Sequence, residues 1–444
     1  MPPLHETLHA LRQGALTSRA LTEACLDRVA DSSGEGARTF TRVSTAALQQ
    51  ADAADALRRE GADKPLLGLP ISVKDLFDIA GEVTTAGSVV LADAPPAKHD
   101  AAIVARLKAA GAVIIGRTNM TEFAYSGLGL NPHYGTPANP WRREQRRIPG
   151  GSSSGAAISV TDAMASAAIG TDTGGSIRIP AALCGLTGFK PTAKRVPMDG
   201  TLPLARSLDS IGPIAATVDC CARLDAVLSG GTYQSTPGPT VRSLKLGTLQ
   251  GYVLDGLDDE TATAFQNALL ALKEAGAATE PVDFPALQRI PFSNQTAAAE
   301  AYAWHRHLLA TSSDRYDPHV SARILHGAGM LAADFLDLMQ ARREIIAEAA
   351  ITFAGYDAIL MPTTPIIAPR IADLEASNDA YFHANGLVLR NTSIFNFLDG
   401  CGLSIPCHRE GEAPVGLMVC GIHGSDAHIL RVGTVLESAL KPLR

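Results

Sequence analysis

The chain has 444 residues, 46% of them hydrophobic, enough apolar material to bury one large core or several ordinary ones, which makes a soluble globular protein the starting expectation. A net charge of −7 leaves no overall basic field for nucleic acid or an anionic membrane, and no apolar run approaches the roughly 18 residues that a membrane-spanning helix needs. Seven cysteines, odd in number and never spaced C-x-x-C, fit reduced thiols, and the start Met1-Pro2-Pro3-Leu4-His5-Glu6 lacks a basic segment followed by an apolar one, so the expected location is the cytoplasm.

Leu8, Leu11, Leu21, Cys25 and Val29 recur at helical spacing with a break near Gly14, which predicts two N-terminal helices with Ser18 capping the second. Residues 66–74 predict a short strand whose alternation puts Ile71 and Val73 on one face, Ser72 and Lys74 on the other, with Lys74 at the carboxyl end. Residues 101–110 read as a helix closed by Gly111, and 112–116 as a buried strand. The arginines Arg142, Arg143, Arg146 and Arg147 read as a solvated loop. Next come a glycine turn at 150–155, a helical stretch at 156–168 and a second glycine turn at 171–176.

The order strand, helix, strand is expected again at 244–249, 259–275 and 278–284, and residues 285–354 read as a helical insertion. Strands at 358–361 and 415–420 and a helix at 427–440 close the chain. The fold class is therefore α/β, a single large domain over 1–444 with a mixed, mostly parallel twisted sheet covered by helices on both faces. No linker or repeat divides it.

The chemistry concentrates in the two turns. Gly174 and Gly175 permit backbone conformations in which successive N–H groups converge beside Ser176 Oγ, the outline of an oxyanion hole, where one donor is worth about 3 kcal/mol of transition-state stabilisation. A serine hydroxyl also needs a base. No histidine neighbours Ser176 in sequence, although one could approach in space; Lys74 is the alternative, because an ammonium at the end of an apolar strand is desolvated until the neutral amine can accept a proton.

The first turn reads G-x-S-x-G with Ser153 in the nucleophile position, but such an elbow follows a buried strand, and residues 141–149 are polar, charged and end in proline. Glycines opening a helix can hold phosphate, yet the G-K-[ST] of a P-loop is missing. Among the histidines, His305 and His307 are the closest pair; their spacing on a helix turns the rings apart and there is no H-E-x-x-H, so a metal hydrolase is not expected.

Lys74, the G-G-S-S-S-G turn at 150–155 and the run T-D-T-G-G-S-I-R-I-P at 171–180, continuing into C-G-L-T-G-F-K-P-T at 184–192, resemble the amidase signature family. Residues 116–123, 207–213 and 414–417 resemble it too, so the likeness spans nearly the whole chain around a signature core at 66–220. The resemblance implies the amidase signature fold and a triad of Ser176 as nucleophile, Ser152 as a relay serine preceded by a cis peptide, and Lys74 as base. Ser152 is the first serine after the glycine pair and stands 24 positions before Ser176, as the family's relay serine does. By the same resemblance Ser153 is a supporting hydrogen-bond partner, the N–H groups of Thr173, Gly174, Gly175 and Ser176 form the oxyanion hole, and Asp172 and Arg178 brace the loop.

The implied reaction is hydrolysis of a small-molecule amide to a carboxylate plus ammonia or an amine through an acyl-enzyme, with no metal and no organic cofactor. Tyr125, Met120, Phe123 and the 285–354 helices are expected to shape the substrate pocket. The second reading is the glutaminase subunit of a tRNA-dependent amidotransferase. No nucleic acid is then bound directly and no membrane is involved; the partners are a small amide and a second copy in a homodimer, or amidotransferase subunits under the second reading. Two departures from the common family pattern are Ser154, where glycine is frequent, and the arginines at 142–147, which leave open a preference for acidic amides.

Overall fold

The computed structural model describes residues 2–234 and 238–443, so Met1 and Arg444, the ends of the expected domain, lie outside the described residues. Among the described residues there are eleven strands, Phe40–Val43 (β1), Pro70–Lys74 (β2), Val113–Thr118 (β3), Ala167–Asp172 (β4), Thr187–Lys190 (β5), Ser210–Ala215 (β6), Lys245–Leu249 (β7), Ala278–Val282 (β8), Ala358–Pro362 (β9), Cys401–Pro406 (β10) and Gly416–Gly421 (β11). They join one sheet in the order β1-β3-β2-β4-β6-β5-β10-β11-β9-β7-β8, which gives the expected α/β class.

The balance of directions differs from the expectation of a mostly parallel sheet. Among the described residues only β2 with β3 and β4, and β7 with β8 and β9, pair in parallel, while the other six pairings are antiparallel. The cause is local: β5 and β6, and β10 and β11, pair directly with each other instead of being separated by a helical crossover.

The inner strands of the sheet are buried on both sides, while the edge strands β1 and β8 are largely exposed. Ile169 and Ile211 belong to the apolar cluster that holds Val73 and Val218, whereas their near neighbours Ala168 and Ile214 belong with Ala156, Ile158 and Ile177, so successive side chains serve opposite faces. Every residue of β2 is buried for this reason. The N-terminal helices form at Leu4–Arg12 and Ser18–Ala30, but the cap of the second is Thr17, whose side chain accepts from Ala20 N at 3.1 Å; Ser18 lies inside the helix and is buried. Helices Ser293–Ser312, Pro318–Leu325 and Ala332–Phe353 occupy the region read as a helical insertion.

β2 and β4 run side by side in parallel, so Lys74 and Asp172, their last residues, reach the same edge of the sheet. The chain beyond β4 forms the second glycine turn before helix Arg178–Leu183, and the first glycine turn leads into helix Ser154–Thr161. Carboxyl ends of parallel strands are where open α/β sheets place their ligands. Among the described residues no helix is long and apolar enough to cross a membrane, and all seven cysteines are buried.

Candidate active site

Lys74 ends β2 with no exposed surface, and its Nζ donates to Ser152 Oγ at 2.6 Å and to Thr171 Oγ1 at 2.9 Å. Burial drives its pKa down from 10.5 to about 7, against the raising pull of the Asp172 and Asp209 charges. A large share of this lysine is thus a neutral amine near pH 7, able to take a proton from the hydroxyl it touches.

Ser152 is held by its own turn. The Gly151–Ser152 peptide is cis, Gly151 N donates to Gly127 O at 2.8 Å, and Ser152 O accepts from Thr121 N at 3.0 Å. A Cβ on Gly151 would stand 2.4 Å from Gly129 N, so only glycine lets the two backbones approach this closely. Ser153 N donates to Ser176 O at 3.3 Å and Ser153 Oγ to Thr171 O at 3.4 Å, which stitches the first turn to the second. Ser154 opens helix Ser154–Thr161, fully buried.

The second turn is built around Asp172. Its carboxylate accepts from Arg178 Nε at 3.0 Å and Nη2 at 2.9 Å, from Asn396 Nδ2 at 2.8 Å and from Gly175 N at 2.8 Å. Burial works to raise this carboxyl, but the charge and hydrogen bonds of Arg178, with Lys190 and Asn396, outweigh it and hold the pKa at about 2. Asp172 is therefore a fixed anion that shapes the loop.

One of the four expected oxyanion donors is already used, because Gly175 N–H points at Asp172 and not into the site. Gly175 has φ +138°, and a Cβ there would lie 2.1 Å from Thr392 Oγ1, whose hydroxyl donates to Gly174 O at 2.6 Å. Gly175→Ala is expected to cost about 2 kcal/mol of stability from the strained backbone and to lower turnover about a hundredfold through displaced N–H donors. Urea unfolding and initial rates on the same preparation measure the two effects.

Thr173 is tied down from the other side, its hydroxyl donating to Asp209 Oδ1 at 2.5 Å. Asp209 also accepts from Leu204 N at 3.1 Å and Ala205 N at 3.1 Å, and burial pushes its pKa up to about 6 despite these bonds. Ser176 faces a cavity of about 40 Å³ together with Thr173, Gly174 and Tyr125. Among the described residues the hydrogen bonds run from Lys74 to Ser152 and none leaves Ser176 Oγ.

Of the residues expected to form the pocket, Tyr125 lines this cavity, but Met120 and Phe123 do not. Both are core residues, 0% and 1% exposed. Phe123 takes φ +49° and its ring joins a cluster with His305, Tyr316 and Trp304 at centroid distances of 4.4, 5.2 and 6.0 Å. The arginines at 142–147 line neither this cavity nor the one beside it: Arg143 pairs with Asp162, and Arg142 and Arg147 each stack on Trp141 at 4.8 Å.

Thr171, Asp209, Thr392 and Asn396 were not singled out from the sequence. Thr171 and Asp209 lie inside segments that carry the family likeness, whereas Thr392 and Asn396 come from helix Thr392–Phe397, more than 200 residues after the turn they support, with no motif to mark them.

The fold and this site define a hydrolase acting on carbon–nitrogen bonds. The chain belongs to the Amidase family, whose model matches residues 20–430. It is 34% identical to a 2-amino-5-chloromuconic acid deaminase from Comamonas testosteroni, over 98% of this chain and 96% of that one. It is also 34% identical to a glutamyl-tRNA(Gln) amidotransferase subunit from a Roseiflexus species, over 98% and 95%. A solved amidase structure superposes with a TM-score of 0.88 at 32% identity, covering 98% of this chain and 99% of that one.

Proposed function

We propose that the chain hydrolyses a small primary amide carrying a carboxylate, releasing ammonia, through an acyl-enzyme on Ser176. The chemistry rests on one observation above the others, the 2.6 Å contact of a lysine with a pKa of about 7 and Ser152 Oγ, in the turn stitched to that of Ser176. Neutral Lys74 draws a proton through Ser152 as Ser176 Oγ attacks the carbonyl carbon, and the uncommitted N–H groups of residues 173, 174 and 176 receive the oxyanion. The proton returns by the same path to the leaving nitrogen, ammonia departs, and water attacks the ester by the reverse relay to free the acid. Every proton in the cycle is carried by these side chains, so no metal or organic cofactor is called for.

The substrate class follows from the space around Ser176. The inner cavity of about 40 Å³ has room for a group of a few atoms, and it shares Tyr125, Arg323, Leu389 and Ser393 with an outer cavity of about 320 Å³. The outer cavity is lined by Arg323 and Arg390 and by no aspartate or glutamate among the described residues. Arg323 lies 4.6 Å above the Tyr125 ring without a carboxylate partner of its own among them, a planar cation left to meet an anion from outside. The name of the Comamonas relative, a deaminase of an acid, agrees with an acidic substrate.

The glutaminase-subunit reading is favoured by the amidotransferase relatives and uses the same pocket, since glutamine is itself a carboxylate-bearing primary amide. The isolated chain, incubated with succinamate, butyramide or glutamine while ammonia is measured, separates the two. Release from succinamate in preference to butyramide supports the free amidase. Release only from glutamine in the presence of partner subunits supports the second reading, and no release under any condition contradicts both. Arg323→Ala is expected to lower the kcat/KM ratio of succinamate over butyramide about tenfold, most of it in KM, the cost of one charge-assisted hydrogen bond.

A further inference from the structure

Glu122 carries a role that the triad does not account for. It has no exposed surface, yet it is a carboxylate with three partners: Ser88 Oγ donates to Oε1 at 2.7 Å, His133 Nε2 lies 2.9 Å from Oε1, and the backbone N–H of Asp317 donates to Oε2 at 2.8 Å. A buried carboxylate is retained only where such bonds repay its desolvation, and an apolar side chain would fill the space at less cost. The partner that differs from the others is Asp317, because it begins the helix Pro318–Leu325.

Asp317 anchors that helix in two ways. Its side chain accepts from His319 N at 2.9 Å, and its carbonyl accepts from Val320 N and Ser321 N at 3.0 and 2.9 Å. Whatever holds the Asp317 peptide therefore holds the first turn of the helix, and a helix of two turns moves as a rigid rod. On that rod sits Arg323.

The turn that bears Glu122 also bears the other half of the contact. Phe123 and Ala124 both take left-handed φ, +49° and +62°, so the chain reverses and Tyr125 emerges at the cavity while Glu122 stays inside. Ser126 Oγ and Gly127 N then donate to Asn385 Oδ1, each at 2.9 Å, which fixes the far end of the same segment. Arg323 over Tyr125 at 4.6 Å joins two elements that Glu122 ties together, beside the stack of His319 on Tyr381 at 3.9 Å and the buried Val320 and Ile324 that also seat the helix.

We propose that Glu122 is a positioning residue for substrate selection, seating helix Pro318–Leu325 so that Arg323 stands over Tyr125 at the mouth of the catalytic cavity. This rests on the reading of Arg323 as the receiver of the substrate carboxylate. Glu122 touches neither substrate nor reacting atoms, and what it supplies is an acceptor for Asp317 N–H, which an amide oxygen supplies as well.

The test compares Glu122→Ala and Glu122→Gln in the full chain, with two readouts. In hydrogen exchange, Glu122→Ala is expected to speed exchange at Asp317 and through residues 318–325, while Glu122→Gln, which keeps the acceptor and protects folding, stays close to the parent. In kinetics, Glu122→Ala is expected to lower the succinamate-over-butyramide ratio of kcat/KM about tenfold, mainly through KM, and to add little to Arg323→Ala in the double variant, as coupled residues do. Unchanged exchange at 317–325 in Glu122→Ala overturns the proposal whether or not either amide is a substrate. An equal loss on both amides, or a full addition to Arg323→Ala, overturns it as well. If the parent turns over neither amide, the amidase reading fails on these probes and the exchange arm still decides the role of Glu122.

Discussion

Ser176→Ala is expected to leave the fold intact and to lower amide turnover by at least about 10⁴-fold, because the proposed nucleophile is gone while the N–H donors remain. The side chain is small and faces a cavity, so removing one oxygen creates no strain and orphans no partner. An unchanged melting temperature together with lost activity is therefore the expected pair of results. Ser153→Ala provides the contrast. Its hydroxyl makes one long bond of 3.4 Å to Thr171 O, so loss of that bond is expected to lower the rate by about tenfold at most. A Ser153→Ala variant as inactive as Ser176→Ala would return the nucleophile to the G-x-S-x-G position.

Lys74→Ala is the second large effect, about 10³-fold in kcat, the scale of a lost general base. The pH dependence carries the finer information. Under the proposed mechanism the lysine acts as the neutral amine, and burial brings its pKa down to about 7, so kcat/KM of the parent is expected to rise as pH increases through about 7 and to level above it. Removing the amine removes that rise. Asp209, pushed by burial to about 6, titrates nearby, and Asp209→Asn separates the two: if Lys74 sets the limb it remains but moves to lower pH, because the Asp209 charge that raised the lysine is gone, and if Asp209 sets it the limb disappears. The measurement is a pH series of initial rates for the parent and both variants.

How much of this was readable beforehand depends on how local each cause is. Lys74 at the end of an alternating apolar run, and two glycine turns with serines, are local patterns, and they place the lysine at a strand end and both serines in turns, whereas the helix expected over 156–168 ends at Thr161 and the strand Ala167–Asp172 that leads into the second turn has no expectation behind it. Asp172 and Arg178 are six residues apart and belong to the same motif, so their pairing was within reach. The use of Gly175 N–H by Asp172 was not, because a glycine permits a φ of +138° without saying which acceptor its N–H then meets. Phe123 illustrates the same limit: an aromatic beside Tyr125 reads as pocket, but two left-handed residues in succession turn it into the core. Thr392 and Asn396 brace the turn across more than 200 residues of chain, and such long-range partners leave no periodic trace. The sheet followed a similar rule. Strand-helix-strand units were visible from their periodicity, whereas the direction of β5, β6, β10 and β11 rests on pairings between short buried runs that look alike in either direction.

The claim on which the account turns is a covalent acyl group on Ser176. Intact-mass analysis of the enzyme quenched in acid during turnover of succinamate, followed by peptide mapping, tests it directly. An adduct equal to the acyl group is expected on the peptide containing Ser176, discharged by hydroxylamine and absent from Ser176→Ala. Turnover with no adduct under any quench, or an adduct mapped to Ser153 or Ser152, would contradict it.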